Sequence, residues 1–175
     1  MVSLIARGIA GAVMAMAATG AVAQEESDNQ VAAETAWSVF EDNDPRECWV
    51  VSAPTETVNT RDGRVVAVRR GEILLMTFFR PEAGVDGQVT FTGGYPFADD
   101  STVSLVIGDD EFELFTEGEW AWPASTSDDG KIIAAMKRGV DAVLTAVSSR
   151  GTTTKDTFSL LGYTAALEEA ERRCS

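Results

Sequence analysis

The chain has 175 residues, 45% of them hydrophobic, with two cysteines, no histidine and a formal net charge of −14. That length and composition fit one ordinary globular domain with a real core. So negative a chain is repelled by nucleic-acid phosphate and by anionic lipid headgroups, and neither is expected as a partner. The missing histidine excludes histidine-activated nucleophiles, histidine general bases and histidine-bound zinc.

The first 23 residues read as a cleavable secretory signal. Arg7 is their single charge, Gly8 to Gly20 is uninterrupted by charge, and Ala21-Val22-Ala23 gives a small-x-small cleavage pattern before the polar Gln24-Glu25-Glu26. The apolar stretch falls short of the roughly 18 to 20 residues that span a bilayer. Gln24, not a cysteine, follows the cleavage point, so no lipid anchor is expected. The mature chain then starts at Gln24 in the periplasm, with an extracellular or outer-membrane-associated location as alternatives, and it keeps no transmembrane segment. Residues 24–34 are acidic and amide-rich and read as a flexible leader. A single β-rich domain is expected over residues 35–175.

Short β runs broken by turn residues follow. Thr35–Phe40 and Cys48–Ala53 flank the polar turn Glu41-Asp42-Asn43-Asp44-Pro45, and Arg61-Asp62-Gly63 precedes a run over Arg64–Arg69. Arg70-Gly71 leads into Glu72–Arg80, where Ile73 to Phe79 is apolar at both phases of a period-two strand and is expected to be central and buried on both faces. Val89 and Phe91 alternate with polar neighbours up to Gly93-Gly94. Val103, Leu105 and Ile107 turn through Gly108-Asp109 into Phe112 and Leu114, a hairpin.

The period changes at Ser127. Asp128 and Asp129 suit a helix start, Lys137 and Arg138 its last turn and Gly139 its stop, with Ile132, Ile133 and Met136 on one face, so a short helix is expected at about 127–138. A second hairpin, Val140–Ser148 with Thr152–Phe158, turns at Ser149-Arg150-Gly151. A second helix is expected at about 164–173, with Thr164 as N-cap and with Leu167, Ala170 and Cys174 on one inward face. These elements predict a mainly β domain, an antiparallel β-sandwich or flattened barrel with two short helices.

The two cysteines, Cys48 and Cys174, read as a disulfide in an exported chain, the alternative being two separate thiols. Carboxylates are the abundant acid–base candidates, at Asp99-Asp100, Asp109-Asp110-Glu111 and Asp128-Asp129, but each group abuts a turn or helix start that favours acids for local reasons. Asp42-Asn43-Asp44 has oxygens suited to calcium yet lacks the glycine and distal glutamate of an EF-type loop, and reads as an acidic hairpin turn. A serine–lysine pair would need Lys131, Lys137 or Lys155 buried, and all three fall at polar or helix-end positions. No metal site and no cofactor is expected. Trp120 and Trp122, two apart on an extended segment, either form a stacking platform for a sugar or peptide or cover the core.

Several short motifs, taken in order, resemble the invasion-associated locus B family of exported bacterial proteins over essentially the whole domain. They are Trp37-Ser38-Val39, Gly94-Tyr95-Pro96-Phe97, Trp120-Ala121-Trp122, Ile132 to Gly139, Ser149-Arg150-Gly151-Thr152 and Asp156 to Leu167. Many members of that family carry a cysteine shortly after the first tryptophan, paired with one where Cys48 stands. Phe40 occupies the nearby position here, so the resemblance leaves Cys174 as the partner of Cys48. It further implies no enzymatic activity and an envelope protein with a binding or structural role, its partner an unknown envelope protein or glycan. A glycan- or peptide-binding module using Trp120 and Trp122 is the alternative, and a carboxylate hydrolase the third reading.

Overall fold

The computed structural model describes residues 29–175, so the expected signal and residues 24–28 lie outside the described residues. Twelve strands and two helices follow one another as β1 (Gln30–Glu34), β2 (Trp37–Asn43), β3 (Arg46–Ser52), β4 (Glu56–Arg61), β5 (Arg64–Val65), β6 (Leu74–Arg80), β7 (Val85–Thr92), β8 (Thr102–Ile107), β9 (Asp110–Glu117), β10 (Trp120–Trp122), α1 (Thr126–Arg138), β11 (Asp141–Val147), β12 (Thr153–Ser159) and α2 (Tyr163–Arg173). All pairings are antiparallel. They form one ladder in the order β1-β2-β3-β6-β7-β10-β9-β8-β11-β12-β4-β5, which does not close on itself.

The ladder folds over as a sandwich because its alternating apolar residues face one core. Val39, Val50, Leu75, Val89 and Phe91 come from one half, and Val103, Leu105, Leu114, Leu144 and Phe158 from the other, all fully buried. Phe91 meets Phe158 edge to face across the middle, with ring centroids 6.1 Å apart. β3 and β4 are consecutive in the chain yet lie in opposite halves of the ladder. The link through Pro54, which has no N–H to donate, carries the chain from one layer to the other, and Thr55 then donates to Thr157 O at 2.7 Å.

α2 lies on the inner face of β2 and β3. Tyr163, Ala166, Leu167 and Ala170 point inward, and Cys174 is bonded to Cys48 with Cα atoms 5.9 Å apart across 126 residues of chain. At the other end of the helix the Tyr163 hydroxyl shares a 3.0 Å hydrogen bond with Thr77, and its ring packs edge-on against Trp37. Burial pushes the Tyr163 phenol well above its ordinary range, so it stays neutral. The residue before this helix, Gly162, adopts φ 91°, and a Cβ there would collide with the backbone of Glu34. Glycine is required on both counts.

α1 is capped by Ser125, whose Oγ accepts from Asp128 N–H, and it packs on β7. β10 pairs with β7 only at Phe91 and Thr92, which leaves the Val89 N–H beyond its end. Asp129 takes the place of the missing strand partner, its Oδ1 accepting from Val89 N at 2.8 Å. Asp129 is buried, and desolvation raises its carboxyl above the usual range despite this hydrogen bond.

Several expectations are corrected. Gln30–Glu34, expected within a flexible leader, forms β1, because Ala32 packs against the core and the backbone completes the edge of β2. Arg64–Arg69 gives only a two-residue strand: the Val66 N–H still donates to Asn59 O of β4 at 2.9 Å, but the chain then departs, and Gly71 N–H bonds to Gly94 O. Thr164 is not the N-cap of α2. Gly162 holds that place without a side-chain cap, and the Thr164 hydroxyl donates to Lys137 O at the end of α1. Gly139 ends α1 as expected, but at φ −77°, so its reason is space: a Cβ would stand 2.5 Å from Ile107 Cγ2 and 2.7 Å from Leu160 Cδ1. In β6, Leu75, Met76, Thr77 and Phe79 are buried across both faces, while Phe78 is only half-buried.

Reducing the Cys48–Cys174 bond, or replacing both cysteines by serine, should lower unfolding stability by about 5 kcal/mol on the loop-entropy scale, read as a fall in the urea midpoint. For Asp129, protonation of the folded form is favoured, so its contribution to stability is fully present below the unfolded carboxylate pKa and is lost as pH rises through the raised folded value. D129N, which keeps the acceptor, should therefore match the wild type at pH 3 and gain on it by pH 7. D129A should cost about 1–3 kcal/mol at both pH values by orphaning the Val89 N–H.

Candidate functional site

The register of the ladder builds a row of aromatic rings on its outer face. Phe40 of β2 stands opposite Trp49 of β3, and Trp49 opposite Phe78 of β6. Phe40 and Trp49 are stacked at 5.4 Å with a 7° interplanar angle, and Trp49 and Phe78 at 6.2 Å. Each of the three rings is half-buried, since α2 covers the inner face and nothing among the described residues is layered over the outer one.

The row continues toward the predicted tryptophans. Phe78 faces Gln88 of β7, and Thr92 of β7 faces Trp120, so Trp120 and Trp122 project on the same side as Gln88 and Phe78. Phe78, Arg80, Gln88, Thr90, Trp120 and Trp122 line a groove of about 320 Å³. Trp120 is 46% exposed and Trp122 half-buried, with Ala121 between them buried completely. Of the two sequence readings of this pair, the structure places the indoles at a groove and not in the core.

Arg80 is fixed over the groove. Its guanidinium lies 4.4 Å from the Phe78 ring centroid, donates to Glu47 Oε1 at 2.7 Å through Nε and donates to Gln88 Oε1 at 3.0 Å through Nη1. A cation held by a ring face, a carboxylate and an amide has given up most of its rotamer freedom before any ligand arrives. Sequence reading reached Trp120 and Trp122 but missed Phe40, Trp49, Phe78 and Arg80. The signal that could have found them was that Trp49 and Phe78 occupy the outward phase of their strands.

The acidic groups singled out in the sequence are dispersed. Asp128 and Asp129 point apart. Asp128 accepts from Lys131 at 2.8 Å and from Ser125, and these bonds hold its carboxyl below the usual range, whereas Asp129 faces inward to Val89. Glu111, Glu113 and Asp128 line a second cleft with Lys131, without converging on one point. Asp42-Asn43-Asp44 sits at the tip of the β2–β3 hairpin, with Asn43 N–H donating to Asp42 Oδ1. Among the described residues no group of three or more metal-ligating side chains converges on one point, and no helix is long and apolar enough to cross a membrane.

An open antiparallel sandwich whose inner face is closed by a disulfide-tethered helix, with an aromatic groove outside, defines the class of this small β-rich domain. Residues 37–171 match the family described as Invasion associated locus B (IalB) protein, and the chain belongs to that family. Its fold is similar to the crystal structure of invasion associated protein B from Bartonella henselae, with a TM-score of 0.55 at 14% identity over 79% of this chain and 94% of that one. No curated protein matches the chain in sequence.

Proposed function

We propose that this is an exported, non-catalytic envelope protein that works by binding, and that the Trp120–Trp122 groove with the Phe40–Trp49–Phe78 row is a platform for a glycan. The observation that carries this reading is the exposure of Trp120 at a groove that combines aromatic walls, Phe78 and Trp122, with the polar side chains of Arg80, Gln88 and Thr90. A sugar ring has an apolar C–H face and a rim of hydroxyls. Indole faces suit the first, and Gln88, Thr90 and Arg80 suit the second.

A peptide is the weaker candidate ligand. β10 is paired on one side with β7 and on the other with β9, so the groove offers no free strand edge for main-chain hydrogen bonding. Export is supported by the signal-like first 23 residues and by a disulfide of the kind that persists in oxidising compartments. The absence of histidine supports the non-catalytic reading. Invasion is part of the structural neighbour's name, and no such role is proposed for this chain.

Cell fractionation should recover the protein from the periplasm with Gln24 as its first residue, and an intact Met1 in the cytoplasm would overturn export. On an array of envelope glycans, W120A and W122A should each weaken the best ligand by about 30-fold, the scale of a tryptophan hot spot of about 2 kcal/mol. L161A, which removes another exposed apolar side chain, should leave binding unchanged. Equal retention of W120A/W122A and wild type would sink the platform.

A further inference from the structure

A cleft of about 400 Å³, which shares no lining residue with the aromatic groove, reaches Glu119 just before β10. It lies between the chain that follows β5, the Gly94–Pro96 turn and the β11–β12 turn. Arg61, Arg69, Arg70 and Arg150 line it, and Glu119 is the one acid in its lining. This is an unexpected concentration of positive charge in a chain with 28 acidic and 14 basic residues.

The arginines differ in what they do. Arg70 is structural: its Nη1 and Nη2 donate to both carboxylate oxygens of the fully buried Asp156 at 2.7 and 2.5 Å, its Nε donates to Gly93 O, and it lies 5.0 Å from the Tyr95 ring centroid. That ion pair forms the floor. Arg61 donates to the hydroxyl of buried Thr152 at 2.6 Å, which orients it at the wall. Arg69 and Arg150 are exposed. Among the described residues Arg61, Arg69 and Arg150 have no carboxylate partner, nor do Arg64, Lys137 and Lys155, whereas Arg46, Arg80, Lys131, Arg138, Arg172 and Arg173 do; three of the six unpaired cations thus line this one cleft.

We infer that this cleft binds a small phosphomonoester. Arg61, Arg69 and Arg150 line the cleft with Glu119 as the one acid beside them, so the lining keeps a net positive charge that a bound anion would neutralise. A phosphomonoester carries close to two negative charges near neutral pH and three acceptor oxygens, enough for more than one planar guanidinium fork, whereas a carboxylate satisfies one. The volume suits a phosphate with a body about the size of one sugar, and Tyr95, Pro96 and Val68 supply an apolar wall for it. The site is separate from the glycan platform and does not depend on it.

Titration calorimetry of the intact chain separates the outcomes. Glucose 6-phosphate should bind saturably, glucose should not, and inorganic phosphate should bind more weakly and compete. R69Q/R150Q removes two exposed, unpaired arginines and should weaken glucose 6-phosphate at least tenfold with an unchanged melting temperature. R64Q, an exposed arginine of β5 outside the lining, should change affinity less than twofold. Cosedimentation with phosphatidylcholine vesicles containing phosphatidic acid, absent from plain phosphatidylcholine vesicles and lost in R69Q/R150Q, would identify a lipid headgroup as the source of the phosphate. Absence of saturable binding to every phosphate probe, or equal losses in R64Q and R69Q/R150Q, would overturn the proposal.

Discussion

The docking of α2 on the inner face of β2 and β3 is the constraint on which the remaining structure rests. The ladder does not close, so its apolar side would stay wet without a cover. The helix is held at both ends, by Tyr163 against Thr77 and Trp37 at its start and by Cys174 on Cys48 at its finish. Two hydrogen bonds extend that clamp to the β1–β2 hairpin: Trp37 Nε1 donates to Ser159 O at 3.0 Å, and Ala36 N–H donates to Leu161 O. Gly162 lets the hairpin turn sit directly on the helix entry. Because the inner face is thus filled from within the chain, the aromatic residues of the outer face lie outside the core and stay half-exposed.

Local patterning makes much of this legible in the sequence. The alternation in β8 and β9 around Gly108-Asp109, the acid-to-base polarity of α1 and the i, i+3, i+7 spacing of Leu167, Ala170 and Cys174 each depend on neighbours within a dozen residues, and each appears as read. The first strand was hidden for the opposite reason. Gln30–Glu34 has an acidic, small-residue composition, and only pairing with β2 makes it a strand. Thr164 shows the same limit on a finer scale, since the position of Glu34 O, far away in sequence, decides that glycine and not threonine begins α2.

The two recesses were legible to different degrees. Trp120 and Trp122 are two apart in sequence and one strand holds them, so their common face followed from period two. Their continuation through Phe78, Trp49 and Phe40 needs the register of three further strands, which the sequence does not encode locally. The arginine cleft joins residues 61–70 to residues 94–96 and 148–152. Arg61, Arg64, Arg69 and Arg70 crowd one short stretch, but only the fold brings Arg150 to them and spends Asp156 on Arg70.

Charge then gives the two sites a common logic. Glu119 lines the cleft and Trp120 the groove, so the recesses meet at the start of β10. The chain as a whole carries a net charge of −14, which repels nucleic acids and densely anionic surfaces. A small phosphate ester carries too few charges to be excluded in that way, and a neutral sugar face carries none. If the two recesses bind as proposed, the net charge of −14 would select among ligands as well as keep the chain in solution. It would then set a repulsive cost on polyanions at the cleft, while leaving apolar attraction at the aromatic groove unaffected.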